Sequence, residues 1–261
     1  MQTVDKALGL LGYFSEARPE IGLSEIARLS GFNKATARRF LLALEKHGVV
    51  EQDAKTRVYR LGPGVLRLAR VREAVSPVQT VVQPILENLV SRIGETAHFS
   101  LYAGGSLATL GLVESTKSNR VMLERGEAIP LHATASGMAF MAFARPQIVN
   151  SALGKTLARH TEHTTTDRQE LRKILQQVRS AGVAVAKGTY EDGVCGIAAP
   201  VIGQDSFASG AVAVAAPASR AKRNVIASIQ PEVRRAAAEI SSAMGIDSEA
   251  ATTRSRGATA A

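Results

Sequence analysis

The chain has 261 residues, of which 45% are hydrophobic and 21% charged, so it can bury a core and wholesale disorder is excluded. Its single cysteine, Cys195, excludes an intrachain disulfide framework and a zinc site built from several cysteines. The sequence contains no run of about 18 apolar residues and no signal-peptide pattern, so we expect a soluble cytoplasmic protein without a membrane partner.

The net charge of +9 is concentrated at the N-terminal end of the chain. Residues 1–72 carry 13 Lys and Arg against 7 Asp and Glu, a net charge of +6, whereas residues 73–246 carry only +3. A small basic segment joined to a nearly neutral larger one indicates a domain that reads a polyanion, attached to a domain with another task.

Three helices and a hairpin are predicted in the first 62 residues. Apolar spacing predicts a helix over residues 3–15, Ser24 opens a second helix that Gly31 ends, and Asn33 caps a third. The predicted buried face of the third helix consists of Ala37, Phe40, Leu41 and Leu44. Two β-prone runs around residues 53–55 predict a hairpin. This order of elements is typical of a winged helix-turn-helix.

The exposed side of the third helix carries residue types that read DNA. In winged helix-turn-helix domains its N-terminal half enters the major groove, where Thr can reach a phosphate or base and Arg can bond guanine O6 and N7. Arg57 at the hairpin tip is placed to meet a phosphate or the minor groove. Ordinary solvated charges are the alternative interpretation. The predicted DNA-binding residues are Ser24, Asn33, Lys34, Ala35, Thr36, Arg38, Arg39 and Arg57.

Residues 63–83 are predicted to link this domain to the next. The segment 63–76 has helical periodicity and more apolar residues than a solvated helix needs, so we expect it to pack against a second subunit. Pro77 interrupts the pattern, and a further helix over residues 84–93 is predicted to begin with Pro84 in its first turn.

From Thr96 onward the pattern changes to short strands separated by turn signals. Strands are predicted at HFSLYA, LATLGLVES, RVMLE, VAVAKGTY, CGIAAPVIG and SGAVAVAAP. Helices are predicted in the second half of IPLHATASGMAFMAFA, over residues 167–181 and over residues 220–244. A sheet of about six strands flanked by helices is an α+β sensor-like domain. The polar, low-complexity residues 247–261 are predicted to be a disordered tail.

Four segments together resemble the IclR family of bacterial transcription regulators: QTVDKALGLLGYF, LSEIARLSGFNKATARRFLLALEKHGVV, LERGEAIPLHATASGMAFMAF and KGTYEDGVCGIAAPV. The resemblance implies a winged helix-turn-helix over residues 1–62, a linker helix over 63–83 and a GAF-like effector domain with a mostly antiparallel sheet over 84–246. It also implies a homodimer or homotetramer on palindromic double-stranded operator DNA. RNA polymerase is a candidate further partner.

Members of this family bind their effector in a cup of the C-terminal domain. The resemblance carries this role to Thr134, Ala135, Ser136, Gly137, Tyr190, Glu191, Asp192, Cys195, Gly196, Ala213 and Ala215. The first four begin a helix, whose N–H groups and partial positive charge suit a carboxylate. This agrees with family effectors that are small organic acids.

The sequence departs from the family pattern in this cup. The cysteine stands one place earlier than in many members, and strand alternation turns Cys195 to the opposite face from Gly196. The acidic loop is shorter, so either Glu191 or Asp192 can line the cup. Ala213 and Ala215 stand where some members use serine. An apolar cup of this kind fits an aromatic or alicyclic acid.

An enzyme, or a GAF-like sensor without DNA binding, is the competing interpretation. Cys195 can act as a nucleophile with His132 or His98 in principle, but a lone cysteine beside a strand is far more often a packed side chain. No G-x-S-x-G, H-E-x-x-H or G-x-G-x-x-G motif occurs. We therefore expect a regulator that is not an enzyme and that needs no metal or cofactor. The sequence leaves open whether it represses or activates.

Overall fold

The structure, a computed structural model, describes residues 2–15, 18–75, 78–123 and 128–257. The contacts divide the chain into two units, Met1–Val75 and Ser76–Ala261. This division falls inside the predicted linker, residues 63–83. The boundaries predicted at residues 62 and 84 remain predictions. No helix within the described ranges is long and apolar enough to cross a membrane.

The first unit combines helices with a small antiparallel sheet. Its elements are α1 (Gln2–Gly9), a 3-10 helix (Leu10–Tyr13), β1 (Glu20–Gly22), α2 (Leu23–Ser30), α3 (Lys34–Lys46), β2 (Val50–Gln52), β3 (Val58–Leu61) and α4 (Pro63–Val75). The strands lie in the order β1-β3-β2. This is the predicted winged helix-turn-helix with one strand more, because Glu20–Gly22 pairs with the hairpin.

The predicted turn between α2 and α3 is confirmed. Gly31 ends α2 in the left-handed conformation (φ 70°), which glycine adopts without steric cost. The Asn33 side chain caps α3 by accepting a hydrogen bond from the Thr36 N–H at 2.8 Å. The predicted buried face of α3 is also confirmed, and it packs on Leu10, Ile21, Ile26, Val50 and Tyr59.

The prediction of one amphipathic helix over residues 3–15 was wrong. Helix α1 ends at Gly9, and the apolar side chains of Val4 and Leu8 are exposed. Glycines at positions 9 and 12 weaken a continuous helix and favour the change to a 3-10 turn. Helix α2 begins at Leu23 with Gly22 as its N-cap, so Ser24 lies inside the first turn and does not cap it.

The second unit is built around a six-stranded antiparallel sheet. Its elements are α5 (Val78–Ile93), β4 (Thr96–Ala103), β5 (Ser106–Val113), β6 (Ala128–Ile129), α6 (Ala135–Phe143), α7 (Pro146–Gly154), α8 (Arg168–Ala181), β7 (Ala184–Lys187), β8 (Val194–Ile202), β9 (Ala208–Pro217) and α9 (Arg223–Gly257). The strand order is β6-β5-β4-β9-β8-β7. The predicted α+β class and antiparallel sheet are confirmed.

Each face of this sheet packs against a different pair of helices. Strand alternation sends Phe99, Ile197 and Val214 to the face covered by α5 and α9. The small residues Ala198 and Ala213 point to the other face, where α6 and α8 lie. The small side chains of this second face allow α6 to lie close to the strands.

Two predicted elements of the second unit were wrong. Pro84 does not begin a helix but lies inside α5, because buried Val82, Leu86 and Leu89 pack the surrounding turns onto the sheet. The segment RVMLE forms no strand over residues 120–123, and Glu124 lies outside the described residues. The carbonyl of Val121 instead accepts a hydrogen bond from Thr96 Oγ1. The sixth strand is β6, further along the chain.

The C-terminal helix is longer than predicted. Helix α9 continues to Gly257, whereas composition predicts disorder from Asp247. Residues 246–256 contain neither Pro nor Gly, so no residue in them ends a helix that has already formed. The last four residues of the predicted tail lie outside the described residues. Helix α7 was not predicted at all.

Candidate DNA-binding surface and effector cup

The N-terminal half of α3 presents a basic surface. Lys34, Ala35, Arg38 and Arg39 are exposed, and Thr36 is half-buried at the third helical position. The buried face of the helix faces the core, so its opposite side is directed away from the domain. A helix that exposes two arginines around a small residue can approach the floor of a major groove.

A tight turn fixes the tip of the wing. Asp53 Oδ1 accepts hydrogen bonds from the N–H groups of Lys55 and Thr56 and from the Thr56 hydroxyl, at 2.7 to 2.9 Å. These bonds, the backbone bond from Thr56 first, hold the pKa of Asp53 below its usual value. Arg57 follows with a positive φ of 62° and an exposed side chain. The turn itself is formed by residues 54–56, and Arg57 closes it by donating its N–H to the carbonyl of Asp53 at 3.0 Å. Arg57 therefore lies beside the tip, with its side chain exposed, and not at the tip as the sequence predicts.

The arginines of the first unit differ in their ionic partners. Arg60 on β3 is paired with Glu51 at 2.6 Å and with Glu20 at 3.6 Å. Within the part of the chain that the structure describes, Arg38, Arg39 and Arg57 form no ion pair with a carboxylate. Their charges are therefore available to phosphate groups.

The start of α6 offers two hydrogen-bond donors. Thr134 caps the helix, and its Oγ1 accepts from the Gly137 N–H at 3.0 Å. That bond occupies the N–H of Gly137, so this predicted cup residue has no backbone donor left for an acid. The N–H groups of Ala135 and Ser136 have no partner among the described residues. Gly137 is required here, because a Cβ at this position would overlap the carbonyl of Leu131.

Strands β4, β8 and β9 form the floor beneath this helix start. Across the sheet, Gly196 lies opposite Ala215, and Ala215 lies opposite Thr96. A Cβ at Gly196 would be 3.0 Å from the Cβ of Ala135, so glycine allows the close approach of α6. The next row places His98 opposite Ala213. The floor is thus made of small residues with one imidazole.

A loop cluster borders the same helix start. Thr189 Oγ1 donates to the carbonyl of Ala133 at 2.6 Å, which ties the loop after β7 to the helix. The ring of Tyr190 meets His160 edge-on, with 4.9 Å between ring centroids, and His160 lies 5.7 Å from His132. Burial and the neighbouring His132 both lower the pKa of His160. Aromatic rings therefore lie beside the α6 start.

The sequence comparisons match both units to one family. The IclR helix-turn-helix domain matches residues 3–54, and the C-terminal domain of the bacterial transcriptional regulator IclR matches residues 74–242. The second match alone covers more than half of the chain. The chain belongs to the IclR family.

Individual IclR relatives match over nearly their whole lengths. The transcriptional regulator SauR of Cupriavidus necator is 30% identical over 239 residues, which are 90% of this chain and 94% of SauR. The crystal structure of an IclR regulator from Silicibacter sp. TM1040 has a TM-score of 0.87 at 42% identity, covering 93% of this chain and 96% of that one. An IclR homologue from Microbacterium hydrocarbonoxydans, solved in complex with 4-hydroxybenzoate, shares the fold with a TM-score of 0.72 at 23% identity, covering 95% and 99%.

Family membership settles the class of protein. This IclR protein is a DNA-binding transcriptional regulator, and its homologues have that non-enzymatic function. The structure also separates the proposed Cys–His pairs, because Cys195 belongs to the cluster under α5 and α9 while His98 contacts α6 on the other face of the sheet. The other candidate, His132, is bonded through Nε2 to the carbonyl of Ala158 at 2.8 Å. Burial also raises the pKa of Cys195, so the side chain stays a thiol and not the thiolate that a nucleophile requires.

The structure brings most of the predicted cup residues together but separates some of them. Thr134, Ala135, Ser136, Gly137, Gly196, Ala213 and Ala215 lie at the α6 start or on the sheet face below it. Cys195 does not, because it points to the opposite face, so its assignment to the cup was wrong. Glu191 and Asp192 are exposed, and Tyr190 is half-buried.

His98 of this IclR protein was not predicted from the sequence to lie beneath the start of α6, where it contacts Ser136. It was considered only as a partner for Cys195. The signal was present in the strand pattern, because Thr96, His98 and Ser100 alternate with Ala97, Phe99 and Leu101. Polar side chains in a row on one face of an internal strand are buried, so each of them needs a hydrogen-bond partner inside the protein.

Proposed function

We propose that this IclR-family regulator is controlled by a small organic acid, aromatic or alicyclic, bound where α6 meets the sheet. The carboxylate is held by the N–H groups of Ala135 and Ser136, and the body of the acid lies against Ala215 and Tyr190. The observation that carries the proposal is a pair of N–H groups, at a capped helix start, that have no partner in the part of the chain that the structure describes. They lie above a floor of small, uncharged residues.

The physical chemistry of the site supports an anion. A helix start carries a partial positive charge, and its free N–H groups point at the ligand. Apolar strand residues cannot hold an acid by themselves, so the helix must supply the polar recognition. A protein with the same fold is complexed with 4-hydroxybenzoate, which supports an aromatic acid as the class.

We further propose that the exposed basic residues of α3 and the wing contact the operator. Lys34, Arg38, Arg39 and Arg57 contact phosphates or bases, while Ala35 allows the close approach. Thr36 adds a hydroxyl to this surface. Ser24 and Asn33 flank it, although the Asn33 side chain is already engaged in the helix cap. The regulator binds as a homodimer or homotetramer, with RNA polymerase as a candidate partner.

The binding site is tested by removing one donor. Pro is tolerated at the first helical position, and Thr134 already has the extended backbone (φ −117°, ψ 154°) that precedes Pro. Ala135→Pro therefore removes one N–H with little loss of helix. We expect isothermal titration to show 4-hydroxybenzoate or cyclohexanecarboxylate binding about tenfold or more weakly, the loss expected for one hydrogen bond to a charged group.

Ala135→Gly is the matched control, because it keeps the N–H and loses only the Cβ. It should bind the acid within a few-fold of the unaltered protein. Both variants should keep operator affinity in the absence of acid. Unchanged acid affinity in Ala135→Pro, with the fold intact by circular dichroism, would place the carboxylate elsewhere.

A further inference from the structure

His98 is a buried polar side chain in contact with the first turn of α6. It is 5% exposed, and its Nε2 lies 3.1 Å from Oγ of Ser136. Its other ring nitrogen, Nδ1, is buried and has no hydrogen-bond partner within the described ranges. Buried polar atoms are nearly always paired, so the unpaired nitrogen needs an explanation.

The surroundings keep this imidazole neutral. Strands β5 and β9 and helix α6, which pack around it, contain no Asp, Glu, Lys or Arg. On β4 the other titratable side chain is Tyr102, and Cys195 of β8 lies on the opposite face. Burial without a compensating charge lowers the pKa of His98 to about 4.

The charged groups that flank β4 and β5 are already paired. Glu95, which precedes β4, is bonded to Arg220 at 2.7 and 2.8 Å and to Lys117 at 2.8 Å. Arg120, in the segment after β5, is paired with Glu114 at 3.0 Å. No counter-ion among the described residues therefore favours the imidazolium, and the ring carries one proton at neutral pH.

The unpaired Nδ1 indicates which nitrogen holds that proton. An orphaned N–H donor in a protein interior is rarer than an under-satisfied acceptor. The lower-cost arrangement puts the proton on Nε2, where it is donated to Ser136 Oγ, and leaves Nδ1 as a bare acceptor. A hydroxyl that accepts this bond must direct its own proton elsewhere.

The hydroxyl proton of Ser136 has no acceptor of its own among the described residues. Ser136 is 2% exposed, and the bond to His98 is the one that the structure gives its Oγ. This O–H is on the same residue as one of the two unpartnered N–H groups at the α6 start. Three donors without an acceptor at one place indicate an acceptor-only ligand, which is the chemistry of a carboxylate.

We propose that His98 is a positioning residue for the effector: by donating from Nε2 to Ser136 Oγ, it turns the serine hydroxyl proton toward the bound carboxylate. This rests on the proposed acid-binding function. Ser136 then acts as a third donor to the anion, beside the two N–H groups of the helix start. The pair selects carboxylates over neutral amides of the same shape, because an amide offers fewer acceptor lone pairs and adds N–H donors.

The first test reads the tautomer directly and needs no ligand. The protein contains five histidines, so nitrogen-15 NMR of labelled histidine is tractable, and the signal lost in His98→Gln assigns His98. We expect a neutral ring protonated on Nε2 from pH 7 down to about pH 5. A proton on Nδ1, or an imidazolium at pH 7, would overturn the proposal.

The second test uses matched variants with 4-hydroxybenzoate as the probe and 4-hydroxybenzamide as its neutral control. Gln can still donate to Ser136 Oγ, so His98→Gln should bind the acid within about threefold of the unaltered protein. His98→Met removes the donor at similar volume, and Ser136→Ala removes the hydroxyl. Each single variant should bind the acid about tenfold to hundredfold more weakly than the unaltered protein. The double variant should lose no more acid affinity than either single variant loses, because both changes remove the same interaction.

The two proposals fail in distinguishable ways. Acid affinity unchanged in Ser136→Ala and His98→Met, with the Ala135→Pro loss intact, overturns the role of His98 and leaves the acid site standing. Additive losses in the double variant also overturn it, because they show two independent effects. If neither this acid nor any other member of a panel of aromatic and alicyclic acids binds the unaltered protein, the acid site and this inference both fail. Thermal unfolding and operator binding without acid confirm that each variant is folded.

Discussion

At the scale of single residues, function depends on groups that the fold leaves without a partner. Among the described residues, Arg39 on α3 has no carboxylate partner, although its guanidinium lies 5.5 Å from the centre of the Phe40 ring. The N–H groups of Ala135 and Ser136 likewise have no acceptor there, whereas Arg60 and Glu95 are bound in ion pairs. Free donors and cations retain their interaction energy for a ligand. The same comparison identifies which arginine variants should affect DNA binding and which should not.

Arg39→Ala and Thr36→Ala should weaken operator binding by about 1–3 kcal/mol wherever a base contact is lost. Arg28→Ala is the matched control, since Arg28 is exposed on α2 and its loss removes the same charge from the same unit. The operator affinity of each variant is measured by gel-shift titration. The duplex for this titration is selected by the unaltered protein from random sequence. Equal losses in Arg39→Ala and Arg28→Ala would reduce the role of Arg39 to its charge alone.

His98 should make the protein sensitive to acid. Its pKa in the folded chain is about 4, below the value of 6.5 for an exposed histidine, so the unfolded chain binds the proton more readily between these values. Stability is therefore fully present above about pH 6.5 and falls as the pH decreases toward 4. By pH 4.5 the loss from this group amounts to about 2–3 kcal/mol.

Denaturant unfolding at pH 7 and pH 4.5 measures this effect. In His98→Gln the free energy of unfolding should decrease less between pH 7 and pH 4.5, by that amount, because glutamine does not titrate. Ser100→Ala, which changes another buried polar residue of β4 and removes no titratable group, should leave the decrease unchanged. An identical pH dependence in His98→Gln and the unaltered protein would refute the burial effect.

At the scale of helices and strands, local sequence signals predicted some helix ends correctly and missed others, such as the start of α2. The cap at Asn33 and the glycine that ends α2 follow from one residue and its neighbours, and both are present. The partial strand β6 and the interior Pro84 depend on what each segment packs against, which a local pattern does not contain. The cup was predicted as a set from the family resemblance, but the role of His98 required the cross-strand register.

Pro84 offers a test of packing against local preference. Proline inside a helix removes a hydrogen bond and its ring crowds the preceding turn, so α5 forms because its buried face outweighs that loss. Pro84→Ala should increase the free energy of unfolding by about 1–2 kcal/mol, after the gain in unfolded-chain entropy is subtracted. Ser91→Ala, at an exposed position of α5, controls for helix propensity. A destabilised Pro84→Ala variant would mean that the packing of α5 requires the proline.

At the scale of the whole molecule, α4 carries an exposed apolar surface. Leu66, Leu68 and Val71 are 69%, 53% and 60% exposed, which is unusual for three large apolar side chains on one short helix. The sequence predicts that this surface meets a second subunit. A symmetric dimer formed through this surface would match a palindromic operator, because protein symmetry then matches DNA symmetry.

Light scattering tests this association. We expect at least a dimer at micromolar concentration, and we expect Leu68→Glu with Val71→Glu to lower the mass toward that of one chain, 27.6 kDa. Arg70→Glu, an exposed polar position on the same helix, changes charge without removing apolar surface and should leave the mass unchanged. A monomeric mass for the unaltered protein would refute the prediction.

The central claim is that acid binding in one unit controls operator binding by the other. Fluorescence anisotropy of labelled operator, titrated with protein in the presence and absence of saturating acid, measures this coupling directly. We predict that the acid changes the operator affinity of the unaltered protein by about 5- to 150-fold, and that Ala135→Pro at the same acid concentration shows a much smaller change. An acid that binds with full affinity, yet leaves the operator affinity unchanged, would contradict the claim.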